Sequence, residues 1–254
     1  MIKISATVIT KNEQDNIVRC LRSLSFVDEA VVVDSQSSDL TVRLAEANGA
    51  RVIINPWPGH IQQKNFAIEQ TTGDWILSLD ADEEITTELR EEIEAARKEG
   101  FYGREGFYFP RQSMFLGRWI KHGGWYPDYH LRLFKKESGR FGGMNPHDKV
   151  DLKGRAGHFK NHMLHYTYPS LEAYFERFNS YTGIAAGELF KKGRRLSPFK
   201  IVFSPPAAFV KMYLLKLGFL DGVEGFILSV FSAHYVLVKN LKLWELENIE
   251  GRRE

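Results

Sequence analysis

The chain has 254 residues, 43% hydrophobic and 26% charged, a globular composition with enough apolar material for a sizeable core. A formal net charge of +2 gives no reason to expect nucleic-acid binding. The single cysteine, Cys20, rules out an internal disulfide framework or a cysteine-built metal site and points to a reducing compartment. Charge is unevenly spread: residues 153–254 hold 15 Lys and Arg against 9 Asp and Glu, so the first 152 residues are net acidic. An acidic half followed by a basic half suits an enzyme that docks on an anionic surface.

Residues 2–10 are apolar and β-rich, predicting a buried strand with no signal peptide ahead of it. Residues 13–24 repeat apolar side chains at helical spacing, with Cys20 on the apolar face. Ala30 to Val33 predict a second strand, ending in the carboxylate of Asp34. Ser37, Ser38 and Asp39 are N-cap candidates for a helix through Ala47, with Gly49 beyond its end. A short strand over 51–54, a Pro-Trp-Pro-Gly break and a helix over 60–69 follow, and Gly73 precedes a fourth strand over 75–79. That strand runs into Asp80-Ala81-Asp82-Glu83-Glu84. The alternation implies a mostly parallel sheet with right-handed crossovers, which binds ligands beyond the carboxyl ends of its strands. Thr10 to Glu13, Asp34, and Asp80 to Asp82 therefore converge on one crevice.

Further on, 86–98 predict an acidic amphipathic helix with Leu89, Ile93 and Ala96 inward, and 106–110 and 131–135 predict strands. Between those strands, Gly123-Gly124-Trp125-Tyr126-Pro127-Asp128 is an aromatic loop suited to stacking on a sugar ring or to packing. From Ser170 the pattern is helical, with Leu171, Tyr174, Phe175 and Phe178 expected on one face.

Asp80-Ala81-Asp82 is the sharpest chemical signal. Strand periodicity would point its carboxylates the same way. A hard cation such as Mn²⁺ or Mg²⁺ takes one or two carboxylates plus a substrate's phosphates.

Several segments resemble a known family. Ala6-Thr7-Val8-Ile9-Thr10-Lys11-Asn12-Glu13, Val32-Val33-Asp34-Ser35-Gln36-Ser37-Ser38-Asp39 and Gly73-Asp74-Trp75-Ile76-Leu77-Ser78-Leu79-Asp80-Ala81-Asp82-Glu83 resemble the motifs of the family 2 inverting glycosyltransferases, in the right order and spacing. Lys64-Asn65 sits where that family has a basic residue and an Asn. Residues 125–134, 141–148, 162–168 and 216–222 resemble the lipopolysaccharide-core heptose β-1,4-glucosyltransferase branch. The resemblance implies a GT-A fold: a Rossmann-like, mostly parallel sheet flanked by helices, with a C-terminal helical extension. It implies a uridine pocket lined by Thr10, Lys11 and Glu13, with Asp34 on the base, although Lys11 stands where many relatives carry an aromatic residue. Lys64 would approach the diphosphate, and Asp80 the ribose or a metal-bound water. Asp82 would ligate Mn²⁺ or Mg²⁺ directly; His165, beyond a short strand-like segment, could be a further ligand or a packed histidine. Asp148, where the branch usually has Glu after His147, would be the catalytic base. Trp125 and Arg132 could contact the acceptor or a donor phosphate; the alternatives are that Trp125 packs and that Arg132, on a strand, pairs with an acidic neighbour.

The tail carries the basic cluster Lys191-Lys192-Gly193-Arg194-Arg195, then an apolar run with interspersed lysines. Residues 225–238 are apolar but shorter than the roughly 20 residues of a spanning helix, which predicts interfacial helices. The expected division is 1–168 as the catalytic domain and 169–254 as a membrane-associating extension. The expected enzyme moves glucose from UDP-glucose onto a lipid-linked saccharide such as lipopolysaccharide core, peripherally at the cytoplasmic side of an inner membrane. Rival expectations are a family 2 transferase acting on a polyprenyl phosphate or peptide side chain, a sugar-phosphate nucleotidyltransferase, and a non-catalytic carbohydrate-binding scaffold. The second would need a Gly-rich, Arg-containing phosphate loop, which Ile9 to Glu13 lack. The tail helices could alternatively pack on the catalytic domain or across a homodimer.

Overall fold

The computed structural model describes residues 2–144 and 147–250. The first part alternates as expected: β1 (Ile4–Thr10), α1 (Ile17–Ser23), β2 (Glu29–Asp34), α2 (Thr41–Ala47), β3 (Arg51–Ile54), α3 (His60–Glu69) and β4 (Trp75–Asp80). Then come β5 (Glu83–Ile85), α4 (Thr87–Lys98), β6 (Gly106–Phe115), β7 (Arg118–Trp119), β8 (Asp128–Lys135), β9 (Gly139–Met144), β10 (His147–Leu152), β11 (Ala156–His158) and β12 (Met163–Tyr168). The helical end comprises α5 (Leu171–Lys191), α6 (Pro198–Val210) and α7 (Gly222–Glu250).

The main sheet runs β3-β2-β1-β4-β8-β6-β12-β5, with β7 and β11 beside β6, and β9 and β10 form a separate hairpin. The β3-β2-β1-β4 part is parallel, and β8 joins β4 antiparallel. This is the mixed, mostly parallel sheet flanked by helices that the sequence predicts. Every residue of β1 is buried, because helices cover both faces of the strand. Ile4, Ala6 and Val8 pack with Cys20, Leu21 and Leu24 of the α1 region and with Leu89 and Ile93 of α4. Ile9 faces Ala67 of α3 on the opposite side. Gly73 precedes β4 where a Cβ would lie 2.6 Å from Ser5 Oγ and 2.8 Å from Ser5 N, a space only glycine fits.

The chain divides into two compact units, 1–112 with 128–165, and 113–127 with 166–254. The second unit therefore includes residues 123–127 of the aromatic loop as well as the tail. It has its own core of Phe115, Ile120, Tyr174, Phe178, Met212 and Leu228. On α5 the buried face is Tyr174, Phe178, Thr182 and Ala186, while Leu171 and Phe175 are exposed. The inward stripe thus follows strict i, i+4 spacing and leaves the other two on its flank. The apolar stretch 225–238 lies inside the 29-residue α7. Helix continues through Lys239 and Lys242, so 218–248 is by length and composition long and apolar enough to cross a membrane. Polar ties nevertheless hold α7 in a bundle: Lys242 Nζ donates to Asn179 O and Oδ1 and Thr182 Oγ1 of α5, and Asn240 Nδ2 donates to Lys200 O and Ser204 Oγ of α6.

Candidate active site

The parallel register places Thr10 beside Asp34 and Ile9 beside Asp80, so the carboxyl ends of β2, β1 and β4 lie side by side. The strand ends that element order brings together thus meet within the first unit. Thr10 is buried, and its Oγ1 has no hydrogen-bond partner among the described residues. A buried hydroxyl at a strand end without a partner is costly unless a ligand satisfies it. Lys11 is exposed.

Two turns frame this edge. Asn12 takes a left-handed φ of 54°, its N–H donates to Ser37 Oγ at 2.8 Å, and its Oδ1 accepts from Ser38 N at 2.9 Å. Glu13 N donates to Thr41 Oγ1 at 2.8 Å, and the Glu13 carboxylate accepts from Asn16 Nδ2 at 2.7 Å. The turn at Asn12 delays α1, which starts at Ile17 and not at residue 13. Asp34 is fully buried and accepts hydrogen bonds from Ser37 N and Oγ. It therefore shapes the β2 turn, and any bond to a base would be additional.

Lys64 on α3 is 4% exposed, and its Nζ lies 3.0 Å from both Asp80 Oδ1 and Asp148 Oδ2. Asn65 exchanges two hydrogen bonds with the backbone of Phe141, fixing α3 against β9. Gln63, also buried, donates to Ser35 Oγ and Asn55 O. Asp148 stands on a paired strand, opposite Gly143. The segment around it is a β-hairpin: Phe141 and Val150, directly opposite each other on the two strands, pack against Ile68, Ile76 and Phe134. Of the adjacent His147 only the backbone is described.

The alternation argument for Asp80 and Asp82 stops at Asp80, because Ala81 and Asp82 form a turn. The two carboxylates have different partners. Asp80 faces Lys64 and, through Oδ2, Arg132 at 2.9 Å. Asp82 Oδ2 lies 3.3 Å from His165 Nε2 on β12. Burial pushes the Asp80 carboxyl up, but Lys64 and Arg132 outweigh it and hold it well below the ordinary range.

Arg132, expected at the acceptor, at a phosphate or beside an acidic neighbour, is 4% exposed and pairs with Asp80 and, at 2.5 Å, Glu83 Oε1. Glu83 also accepts from Asp80 N at 3.0 Å through Oε2 and meets Arg111 at 3.3 Å. Arg111 pairs in turn with Asp128 at 2.7 Å, and His130 Nε2 lies 2.8 Å from the same carboxylate. Sequence reasoning missed the roles of Glu83 and Arg111. The one available hint was a carboxylate three residues after Asp80, within return reach of its backbone. Trp125 belongs to the second unit, where it packs with Phe115 and Tyr168.

The residues fit a divalent cation. Asp82 and His165 offer an oxygen and an imidazole nitrogen close enough to share one ion, and both side chains retain slight exposure. Among the described residues no cluster of three or more His, Cys, Asp or Glu is placed to hold a metal unaided. Such a pair suits an ion whose coordination is completed by substrate phosphates and water.

Residues 5–151 match the family described as glycosyl transferase family 2. An uncharacterized glycosyltransferase of Rickettsia felis is 34% identical over 96% of this chain and 90% of its own length. The lipopolysaccharide core biosynthesis glycosyltransferase LpsC of Rhizobium meliloti is 27% identical over 99% of this chain and 95% of its own. Among solved structures, S. aureus TarS 1–349 in complex with UDP is 17% identical, covers 98% of this chain and 92% of that one, and has a TM-score of 0.48. The chain belongs to glycosyl transferase family 2 and is a glycosyltransferase.

Proposed function

We propose that this enzyme transfers a hexose, glucose from UDP-glucose on the resemblance, with inversion onto a lipid-linked saccharide of the lipopolysaccharide-core type. The observation that carries the proposal is Lys64, whose ammonium is shared between Asp80, at the nucleotide edge, and Asp148. A buried cation suited to a diphosphate therefore lies within 3.0 Å of a carboxylate suited to take a proton. Thr10, Lys11, Glu13 and Asp34 would receive the nucleoside, and Lys64 the diphosphate. The acceptor hydroxyl oxygen attacks the anomeric carbon, its proton passes to Asp148, and the bond to the diphosphate breaks with its electron pair leaving on the diphosphate oxygen. Mn²⁺ or Mg²⁺ held by Asp82 and His165, with Asp80 nearby, would supply Lewis-acid stabilisation of that leaving group. Similarity to LpsC along nearly the whole of both chains supports the acceptor class. The exposed apolar and basic side chains of 191–223 support peripheral attachment to an anionic membrane face, on the cytoplasmic side where nucleotide sugars are found. The test is transfer by purified protein from a panel of nucleotide sugars, with Mn²⁺, onto heptose-containing lipid-linked acceptors, polyprenyl phosphate and peptides. Transfer to polyprenyl phosphate or peptide alone would overturn the acceptor, and a preference for another donor would overturn UDP-glucose.

A further inference from the structure

The second unit carries an apolar surface that its own core does not use. Helix α6 buries none of its residues. Beyond it the chain widens into a π turn at Lys211–Leu215, takes a left-handed φ of 58° at Leu217 and closes through a 3₁₀ turn at Gly218–Asp221. This irregular segment exposes Leu214, Leu215, Leu217, Phe219 and Leu220, and Val223 follows at the start of α7; Leu215 and Val223 are 75% and 69% exposed. Clustered exposure of large apolar side chains marks a contact surface.

Charge selects the occupant. Between Glu188 and Asp221 the sequence has seven Lys and Arg and no acidic residue. A second copy would bring the same positive field and be repelled, whereas an anionic bilayer offers both hydrocarbon and negative charge. The backbone of the turn is also prepared for an apolar setting: Lys216, Leu217 and Leu220 N–H groups donate to Lys211, Leu214 and Leu217 carbonyls at 2.9, 3.2 and 3.0 Å.

Behind this surface the turn is fastened to the aromatic loop. Asp221, 3% exposed, accepts from Lys121 N at 3.2 Å and His122 N at 2.7 Å, and its Oδ1 lies 3.0 Å from His122 Nδ1. Gly123 N donates to Lys216 O at 2.8 Å, and Met212 packs in one cluster with Trp125. At Gly124, with φ of 81°, a Cβ would lie 2.3 Å from Lys216 Nζ, so loop and turn touch closely. We propose that 211–223 is the segment that enters an anionic phospholipid leaflet, and that Asp221 couples its insertion to the loop 116–127 carrying Trp125. This rests on the peripheral-membrane reading and identifies the part of the tail that performs it.

The test uses the full chain, pelleted with vesicles of phosphatidylglycerol and phosphatidylethanolamine or of phosphatidylcholine alone at about 0.15 M salt. Wild type should pellet with the anionic vesicles. Leu215→Glu/Val223→Glu should lower that partition by about tenfold or more while melting as wild type, since both side chains are exposed. Undiminished binding by this variant would overturn the insertion segment and leave surface attachment standing; no binding by wild type would remove both. Coupling is read by hydrogen exchange. Anionic vesicles should slow exchange of amides 116–127 in wild type, but not in Asp221→Asn, which should still pellet. His122→Phe, which loses only the ring contact and leaves the backbone bonds to Asp221, should show partial loss of this protection. Unchanged exchange of these amides in vesicle-bound wild type, or full protection in both variants, would overturn the coupling.

Discussion

The two units treat charge in opposite ways. In the first, Lys64, Arg132 and Glu83 are almost completely buried, and each meets an opposite charge within 3.0 Å. In the second, the long cationic stretch between Glu188 and Asp221 lies on the surface beside bare apolar side chains such as Phe199, 73% exposed. Buried ion pairs repay their desolvation poorly, so a dense buried network contributes definite geometry more than stability. Exposed apolar and basic groups contribute nothing to folding, and their use lies in what they meet. The first unit thus holds these charges in fixed positions, whereas the second leaves its cationic stretch and the apolar side chains beside it open at the surface.

Mutations can break this contrast. Asp82→Ala should have the largest effect, abolishing donor binding that depends on Mn²⁺ or Mg²⁺, measured by calorimetry; wild-type activity that survives exhaustive chelation would contradict it. Asp148→Asn should lower turnover by about 10²–10⁴-fold with donor affinity nearly unchanged. If donor affinity fell in step, Asp148 would belong to the nucleotide pocket. Glu83→Gln weakens the brace between Asp80 N–H, Arg111 and Arg132. It should raise the Mn²⁺ concentration for half-maximal activity by about 10–100-fold while sparing turnover at saturating metal, the size seen when groups that orient metal ligands are altered. Equal metal dependence in mutant and wild type would make the brace merely structural.

Two smaller effects concern stability. At Gly225 on α7 a Cβ would lie 1.9 Å from the Gly218 carbonyl oxygen, so Gly225→Ala should cost about 1–3 kcal/mol in denaturant unfolding. At Glu29, burial pushes the carboxyl up, but hydrogen bonds from Ser5, Thr72 and Arg51 bring it down to about 2. Its stabilisation is present above the unfolded value of about 4.3 and is lost as pH falls toward about 2. Glu29→Gln should flatten acid unfolding in that window and leave stability near neutrality with a weaker pH dependence.

The parallel half and the meeting of its strand ends were legible because buried strands and amphipathic helices leave distinct periods, and because strand order dictates where the carboxyl ends lie. Cys20, Leu89, Ile93 and Ala96 are all buried as that periodicity required. The antiparallel half was legible only in part. The β6 strand extends to Phe115, five residues past its expected end, through Arg111, Gln112 and Ser113, polar residues that do not announce a strand. The hairpin bearing Asp148 was obscured by Gly139, Gly142 and Gly143. Glu83 lay in plain view, but its use depends on Arg111 and Arg132, which come from two later strands, and no local pattern encodes that meeting.

Cys20 gives the crevice a built-in clock. The chain's sole thiol is fully buried, with Sγ 3.8 Å from the Asp80 carbonyl oxygen on the inner side of the turn that carries Asp82. A thiol reagent can reach it only when α1 parts from the end of β4, so the labelling rate counts openings of that corner. A nucleotide sugar that binds the closed form alone should slow labelling in proportion to its saturation. Occupancy could then be followed without a labelled donor, an acceptor or any turnover.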